Sequence, residues 1–370
     1  MDNTNRIFLH KVFKAIADSI IKIFIPLYIL KTTNNINFAI IYLTVYSFFV
    51  FILQIALKHL YERKIVLCII LHCFPIIATQ AILSFCQINL LTITVSALLM
   101  SISQVLYSVP LNILFALKDK KTNISKFEIA TNTGKILFII TSGLLLSHTS
   151  NSFIFLSGIA TAIYIASIIP IGDFYNQKNI PLATKTPTTY SCNFTFRLYH
   201  ISFSLFQTTI DSLIPIYLYV NNLSFDAITT TIALVEVFKI IANLLAKKLI
   251  NKNHFKLSCI ISSIIFISSL ICLLLFKNST ILYIVSSIVA ISFPMTFVPL
   301  FYIFCKQSKT KADTVADMTL RDIDIFTPRA LYYGLYFIGG FLAPLLLGVA
   351  SSITMLACQI KTINTHKDIL

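Results

Sequence analysis

Seven ionisable side chains interrupt the long apolar runs of this 370-residue sequence: Asp18, Lys22, Lys135, Asp211, Glu236, Lys239 and Arg329. On insertion scales a charge deep in hydrocarbon costs about 2.5–3.5 kcal/mol, so each needs a partner or access to water. Three kinds of chemistry are open to them: pairing, contact with a charged solute, and carriage of a proton. Desolvation brings a carboxyl group toward the working pH, where it can load and release a proton, whereas a neighbouring lysine acts the other way. Asp211 and Glu236 are the candidates for proton coupling. Against that stand local pairs: Glu236 with Lys239, three residues on, and Asp18 with Lys22, four residues on, each within reach along one helix face. Bond-breaking chemistry is not indicated. No H-E-x-x-H, G-x-S-x-G or G-x-x-x-x-G-K-[ST] occurs, and the eight cysteines show no C-x-x-C and no metal-ligand spacing, so neither a cofactor nor a metal is expected.

The elements that hold these residues must be membrane spans. The chain is 57% hydrophobic and 12% charged, with a mean hydropathy of +0.85. An average soluble domain carries about 25% charged residues, so this chain needs lipid as its outer solvent. Trp is absent, and any interfacial belt must rest on Tyr. About 20 apolar residues cross the hydrocarbon core. Such runs fall near 13–30, 37–57, 65–85, 90–117, 127–147, 153–171, 198–220, 226–246, 257–276 and 281–305. One more apolar stretch, about 325–360, is expected to divide into two short helices near Gly339, Gly340 and Pro344.

Charge alternates between the gaps. Of 29 Lys and Arg, 23 fall in one alternating set, including Lys14 and Arg321, and two (Lys31 and Lys277) fall in the intervening gaps. The positive-inside rule then places the N-terminus and the 172–197 loop in the cytoplasm of an inner, cytoplasmic-membrane protein. It also accounts for a net charge of +15 without a nucleic-acid partner.

The sequence repeats itself. Ile25-Pro26-Leu27-Tyr28 returns as Ile214-Pro215-Ile216-Tyr217 at an offset of 189, which also carries Gln54 onto Asn243 and Lys58 onto Lys247. Glu128 with Lys135, and Asp322 with Arg329, share a spacing of seven at an offset of 194. The expected fold is therefore an all-α polytopic membrane protein of about 12 transmembrane helices in two parallel six-helix halves, residues 1–171 and 198–370, joined by a cytoplasmic loop over 172–197.

With these repeats the chain resembles the major facilitator superfamily of transporters along nearly its whole length. Its loop "KHLYERK" sits where that family carries Gly-x3-Asp-Arg-x-Gly-Arg-Arg, and retains the trailing basic pair Arg63 and Lys64 without the Gly and Asp. "TNTGKILFIITSG" keeps Gly134 alone of the family's Gly-Pro-rich signature in the fifth span. The resemblance implies that the first and seventh spans line a central cavity. Lys22 and its repeat mate Asp211 would then face that cavity and either pair or contact substrate, with Asp18, Gln54, Asn243 and Asn112 as further contacts. Arg63, Lys64, Glu128, Lys135, Asp322 and Arg329 are candidates for a cytoplasmic gate; for Lys135 and Arg329 the plainer expectation is snorkelling to the interface.

The function expected is secondary active transport of a small organic solute, amphipathic or zwitterionic, by alternating access with proton coupling and in the export direction. The expected partners are that solute, the coupling ion and lipid, with the chain a monomer. A receptor or subunit that keeps the fold without turnover is the alternative.

Overall fold

In the computed structural model the described residues are 3–57, 60, 64–118, 123–148, 152–175, 194–251, 254–298 and 311–365. Among them all regular structure is helical. Among the described residues nine helices are long and apolar enough to cross a membrane: Ile36–Ala56, Ile65–Phe85, Leu90–Ile113, Ile129–His148, Ser152–Gly172, Phe225–Leu249, Phe255–Leu275, Ser279–Val298 and Leu342–Asn364. These are spans 2 to 6, 8 to 10 and 12. Residues 3–33, 194–220 and Lys311–Gly334 supply spans 1, 7 and 11, completing twelve.

Spans 1 and 7 are both broken near the middle. Span 1 runs Asn3–Ile20, tightens into a 3-10 turn over Lys22–Phe24, and resumes as Ile25–Thr33. Span 7 runs Phe194–Thr208, widens into a π turn over Thr209–Leu213, and resumes as Ile214–Val220. Each resumed helix carries proline at its start, Pro26 and Pro215, where a missing N–H is tolerated. Helix ends follow ordinary rules: Asn35 and Asn278 cap spans 2 and 10 with their side-chain oxygens, and Asn34 closes span 1 in the left-handed conformation at φ 54°.

The packing forms two compact units. Unit 1 comprises residues 1–119, 148–188 and 309–334; unit 2 comprises 120–147, 189–308 and 335–370. In unit 1, span 1 lies on span 6, span 3 on spans 4 and 6, and span 2 between spans 4 and 11. In unit 2, span 12 packs on spans 7 and 9, and span 8 on span 10. Both units turn Ile, Leu and Phe outward, among them Phe74, Ile169, Ile264 and Ile353, as lipid-facing helices do.

With only eight glycines, close helix contact is made largely by serine. Ser258 donates to the Met295 carbonyl and Ser262 to the Ser292 carbonyl, each at 2.7 Å, which ties span 9 to span 10. Gly143 is one place where only hydrogen fits, since a Cβ there would overlap the Thr229 side chain of span 8.

The structure corrects two expectations. Span 11 begins at Lys311, so Arg321, Asp322 and Asp324, expected in a loop or at its edge, are buried inside a helix. Lys14, also assigned to a gap, is buried in span 1. Both departures have one cause: hydropathy discounts charged residues, and here partners within unit 1 compensate them. The helical break expected at Gly339 and Gly340 is present, with Gly340 at φ 57°, but the helices it parts are not short: they run Lys311–Gly334 and Leu342–Thr365.

Candidate functional site

The largest concentration of membrane charge in unit 2 is built on three spans. Glu236, Lys239 and Asn243 recur at intervals of three and four, so span 8 presents them on one face. Span 7 brings Asp211, which sits in the π turn, a wide-turn geometry frequent at functional sites. Span 5 brings Lys135. The four charged groups form a chain of alternating sign. Lys135 Nζ lies 3.7 Å from Glu236 Oε2, Glu236 Oε1 3.1 Å from Lys239 Nζ, and Lys239 Nζ 3.2 Å from Asp211 Oδ1. Gln207 donates to the other Asp211 oxygen at 3.1 Å, and Asn243 donates to the Lys239 carbonyl at 2.9 Å.

The chain is buried in its middle and more open at its ends, with Lys135 21% exposed. The Glu236 side chain is 5% exposed and that of Lys239 10%, whereas Asp211 is 37% exposed. Asp211 is thus the more open end of the network. It opens into a cleft of about 160 Å³ lined by Asn132, Lys135, Gln207, Asp211, Lys239, Asn243, Phe293, Pro294 and Phe297. Phe293 and Phe297 stack at 5.7 Å between centroids, and Lys239 Nζ sits 5.5 Å from the Phe293 ring. Polar, charged and aromatic groups therefore share one small cleft, with two bases and one acid, Asp211, along its wall and Glu236 bonded to both bases behind it.

Unit 1 holds a second cluster. Asp18 receives Lys14 Nζ on one oxygen and the Tyr164 hydroxyl on the other, both at 2.5 Å. Lys14 also lies 4.1 Å from the centre of the Tyr107 ring. His10 Nδ1 bonds the Ser167 carbonyl at 2.6 Å, and His72 packs against Tyr107 at 4.8 Å. Lys22 donates to Gln104 Oε1 at 2.9 Å. On span 11, Arg321 pairs with Asp322 at 3.4 Å, and Arg329 lies 4.6 Å from the Phe326 ring.

Several residues singled out from sequence meet here and others do not. Glu236 and Lys239 form the intrahelical pair that their spacing allows. Lys135 is drawn to Glu236. Asp18 pairs with Lys14 rather than Lys22, because the 3-10 turn at Lys22 shifts it off the regular helical face. Lys22 and Asp211 each find hydrogen-bond partners within their own unit. Gln54 is buried in span 2 and Asn112 is half-buried in span 4. Lys64 is exposed at the start of span 3. Arg63 and the side chain of Glu128 lie outside the described residues. Sequence reasoning passed over Asn132, Gln207, Phe293, Phe297, Tyr107 and Tyr164, none of which stands out by type or spacing. The four-residue step from Lys14 to Asp18 was the one available signal. Among the described residues no group of three or more His, Cys, Asp or Glu is placed to hold a metal ion.

The fold and these membrane charges define an integral membrane transporter, and the chain belongs to the Major Facilitator Superfamily, whose family model matches residues 7–319. No curated protein matches it in sequence. Solved structures share its fold. A bacterial homologue of the iron transporter ferroportin in an outward-facing state superimposes with TM-score 0.74 at 11% identity, covering 98% of this chain and 100% of that one. The same kind of homologue with soaked iron gives 0.75 at 10% identity, over 98% and 99%. The human organic anion transporter MFSD10 (TETRAN) gives 0.68 at 11% identity, over 97% and 98%. At such identities the likeness is one of fold.

Proposed function

We propose that the protein moves a small zwitterionic or amphipathic organic solute across the cytoplasmic membrane by alternating access, with a proton as coupling ion and export as the direction. The observation that carries this reading is the charge chain of unit 2, where two lysines are balanced by Asp211 at the cleft wall and Glu236 behind it, beside stacked phenylalanines. A site of zero net charge with both signs on offer favours a solute that brings both signs, or one that brings dipoles and an apolar body. Asp211 contacts the solute at the open end, and Lys239, held also by Glu236, keeps a carboxylate partner when Asp211 is engaged. Glu236 and Asp211 share Lys239, so the arrival of a proton on either strengthens the hold of the other on that lysine. In this reading the N-terminus and the 172–197 loop are cytoplasmic, the halves 1–171 and 198–370 are repeats, and the protein works as a monomer.

The test is accumulation of labelled amino-acid-like, peptide, sugar and toxic amphipathic solutes in cells expressing wild type or Asp211→Asn, with and without a protonophore. Transport of one solute that the protonophore collapses and Asp211→Asn reduces at least tenfold supports the proposal. Transport that is indifferent to both overturns it.

A further inference from the structure

In unit 1, Lys22 is hydrogen-bonded to a neutral group and makes no ion pair among the described residues. Around the break in span 1, the two lysines that act on Asp18 are Lys14 and Lys22. Asp18 is fully engaged, one oxygen by Lys14 and the other by Tyr164. Lys22 feels that carboxylate only through space, and its hydrogen-bond partner among the described residues is the neutral side-chain oxygen of Gln104. The contrast with unit 2 is direct: there two acids meet two bases, while here one acid meets two. A half-buried ammonium inside a membrane protein is expensive unless an anion or water completes it.

The geometry supplies two donors for that anion. Because Gln104 presents its oxygen to Lys22, its amide NH2 is left as a donor without an acceptor among the described residues. Ammonium and amide are thus two donors side by side, with Gln104 Oε1 only 2.9 Å from Lys22 Nζ. A carboxylate or other small oxyanion can accept from both, one oxygen to each, as charge-assisted pairs do. The 3-10 turn over Lys22–Phe24 brings Lys22 out of register with the face that carries Lys14 and Asp18. That separation keeps the second lysine from closing on the same acid.

We infer that Lys22 and Gln104 form an anion-binding site within unit 1, separate from the cleft at Asp211. The anion is either the acidic group of a transported solute or a small inorganic ion that accompanies it.

The experiment measures thermal unfolding of the purified full-length protein in detergent, read with a thiol-reactive fluorogenic dye that reports the buried cysteines as they open. Benzoate, phosphate and chloride are added as sodium salts at matched ionic strength, and tetramethylammonium chloride serves as the cationic control. At least one anion is expected to raise the unfolding temperature of wild type by about 2–4 °C. Lys22→Met and Gln104→Leu should abolish the shift, Lys22→Arg should keep it, and Asp211→Asn should keep it too. A shift confined to benzoate identifies the solute's own acid as the occupant, and one with phosphate or chloride identifies an inorganic ion. The inference is overturned if no anion shifts wild type, if Lys22→Met and Gln104→Leu both respond like wild type, or if Asp211→Asn alone removes the response. Because the readout is binding, it stands apart from whether any solute in the transport panel is moved.

Discussion

The Tyr164 hydroxyl donates to Asp18 at 2.5 Å, joining span 6 to span 1 across 146 residues of sequence. With Lys14 on the other oxygen, it makes the one carboxylate of span 1 a fully bonded, buried group. Tyr164→Phe should remove a hydrogen bond to a charged acceptor and cost about 1.5–3 kcal/mol. Thermal unfolding in detergent should fall by several degrees, and Asp18→Asn added to Tyr164→Phe should cost much less than its effect in wild type. Equal, additive losses would show that the two residues act independently.

Lys239 is the hinge of the charge chain in unit 2. Lys239→Met leaves the buried Glu236 and the part-exposed Asp211 without their shared base, and removing one member of a buried pair such as Glu236–Lys239 costs about 3–5 kcal/mol. Adding Glu236→Gln to Lys239→Met should recover a good part of that loss. A double variant less stable than Lys239→Met would sink the view that Glu236 depends on Lys239.

Gly143 meets Thr229 at the crossing of spans 5 and 8. Gly143→Ala should lower the unfolding temperature and the yield of folded protein, and Gly143→Leu should lower both further. Thr229→Ala should largely rescue Gly143→Ala. Gly158, where a Cβ would meet nothing within 4 Å, should accept alanine with little change.

Cys86 is exposed in the turn between spans 3 and 4, while Cys68, Cys73, Cys259 and Cys358 are buried. With the N-terminus cytoplasmic, that turn faces outward. In a variant lacking Cys192 and Cys305, a membrane-impermeant maleimide should label intact cells, and Cys86→Ser should abolish the labelling. Labelling that requires broken cells would reverse the proposed orientation.

Most of the fold was legible because it is set by hydropathy with a period imposed by the bilayer. The apolar runs beginning near 37, 65, 90, 153 and 257 lie within two residues of helices in the structure. The span 11 start was not legible, since Arg321, Asp322 and Asp324 read as loop until their burial is known. Within the site, Glu236 with Lys239 is a local pair that helical spacing discloses. The bridge from Lys239 to Asp211, 28 residues apart, and that from Tyr164 to Asp18 are products of tertiary packing. The repeat pointed to Lys22 and Asp211, and the structure puts both in the broken turns of their spans. It did not disclose the bonding partners: Gln104 stands out only as a polar residue of span 4, open to a solute or to a neighbouring helix, and Gln207 differs in nothing visible from any other glutamine.

Span 11 has a consequence for how the chain enters the bilayer. Its helix carries Arg321, Asp322, Asp324 and Arg329, and it is not among those apolar enough to cross alone. Each such charge near a helix centre weighs about 2.5–3.5 kcal/mol against lateral release from the translocon. Spans 2 and 4, against which it packs in unit 1, are made long before it emerges from the ribosome. Span 11 must therefore be received by an already assembled surface instead of partitioning on its own, which makes it a late, chaperoned step of biogenesis and the segment most exposed to quality control when unit 1 is damaged.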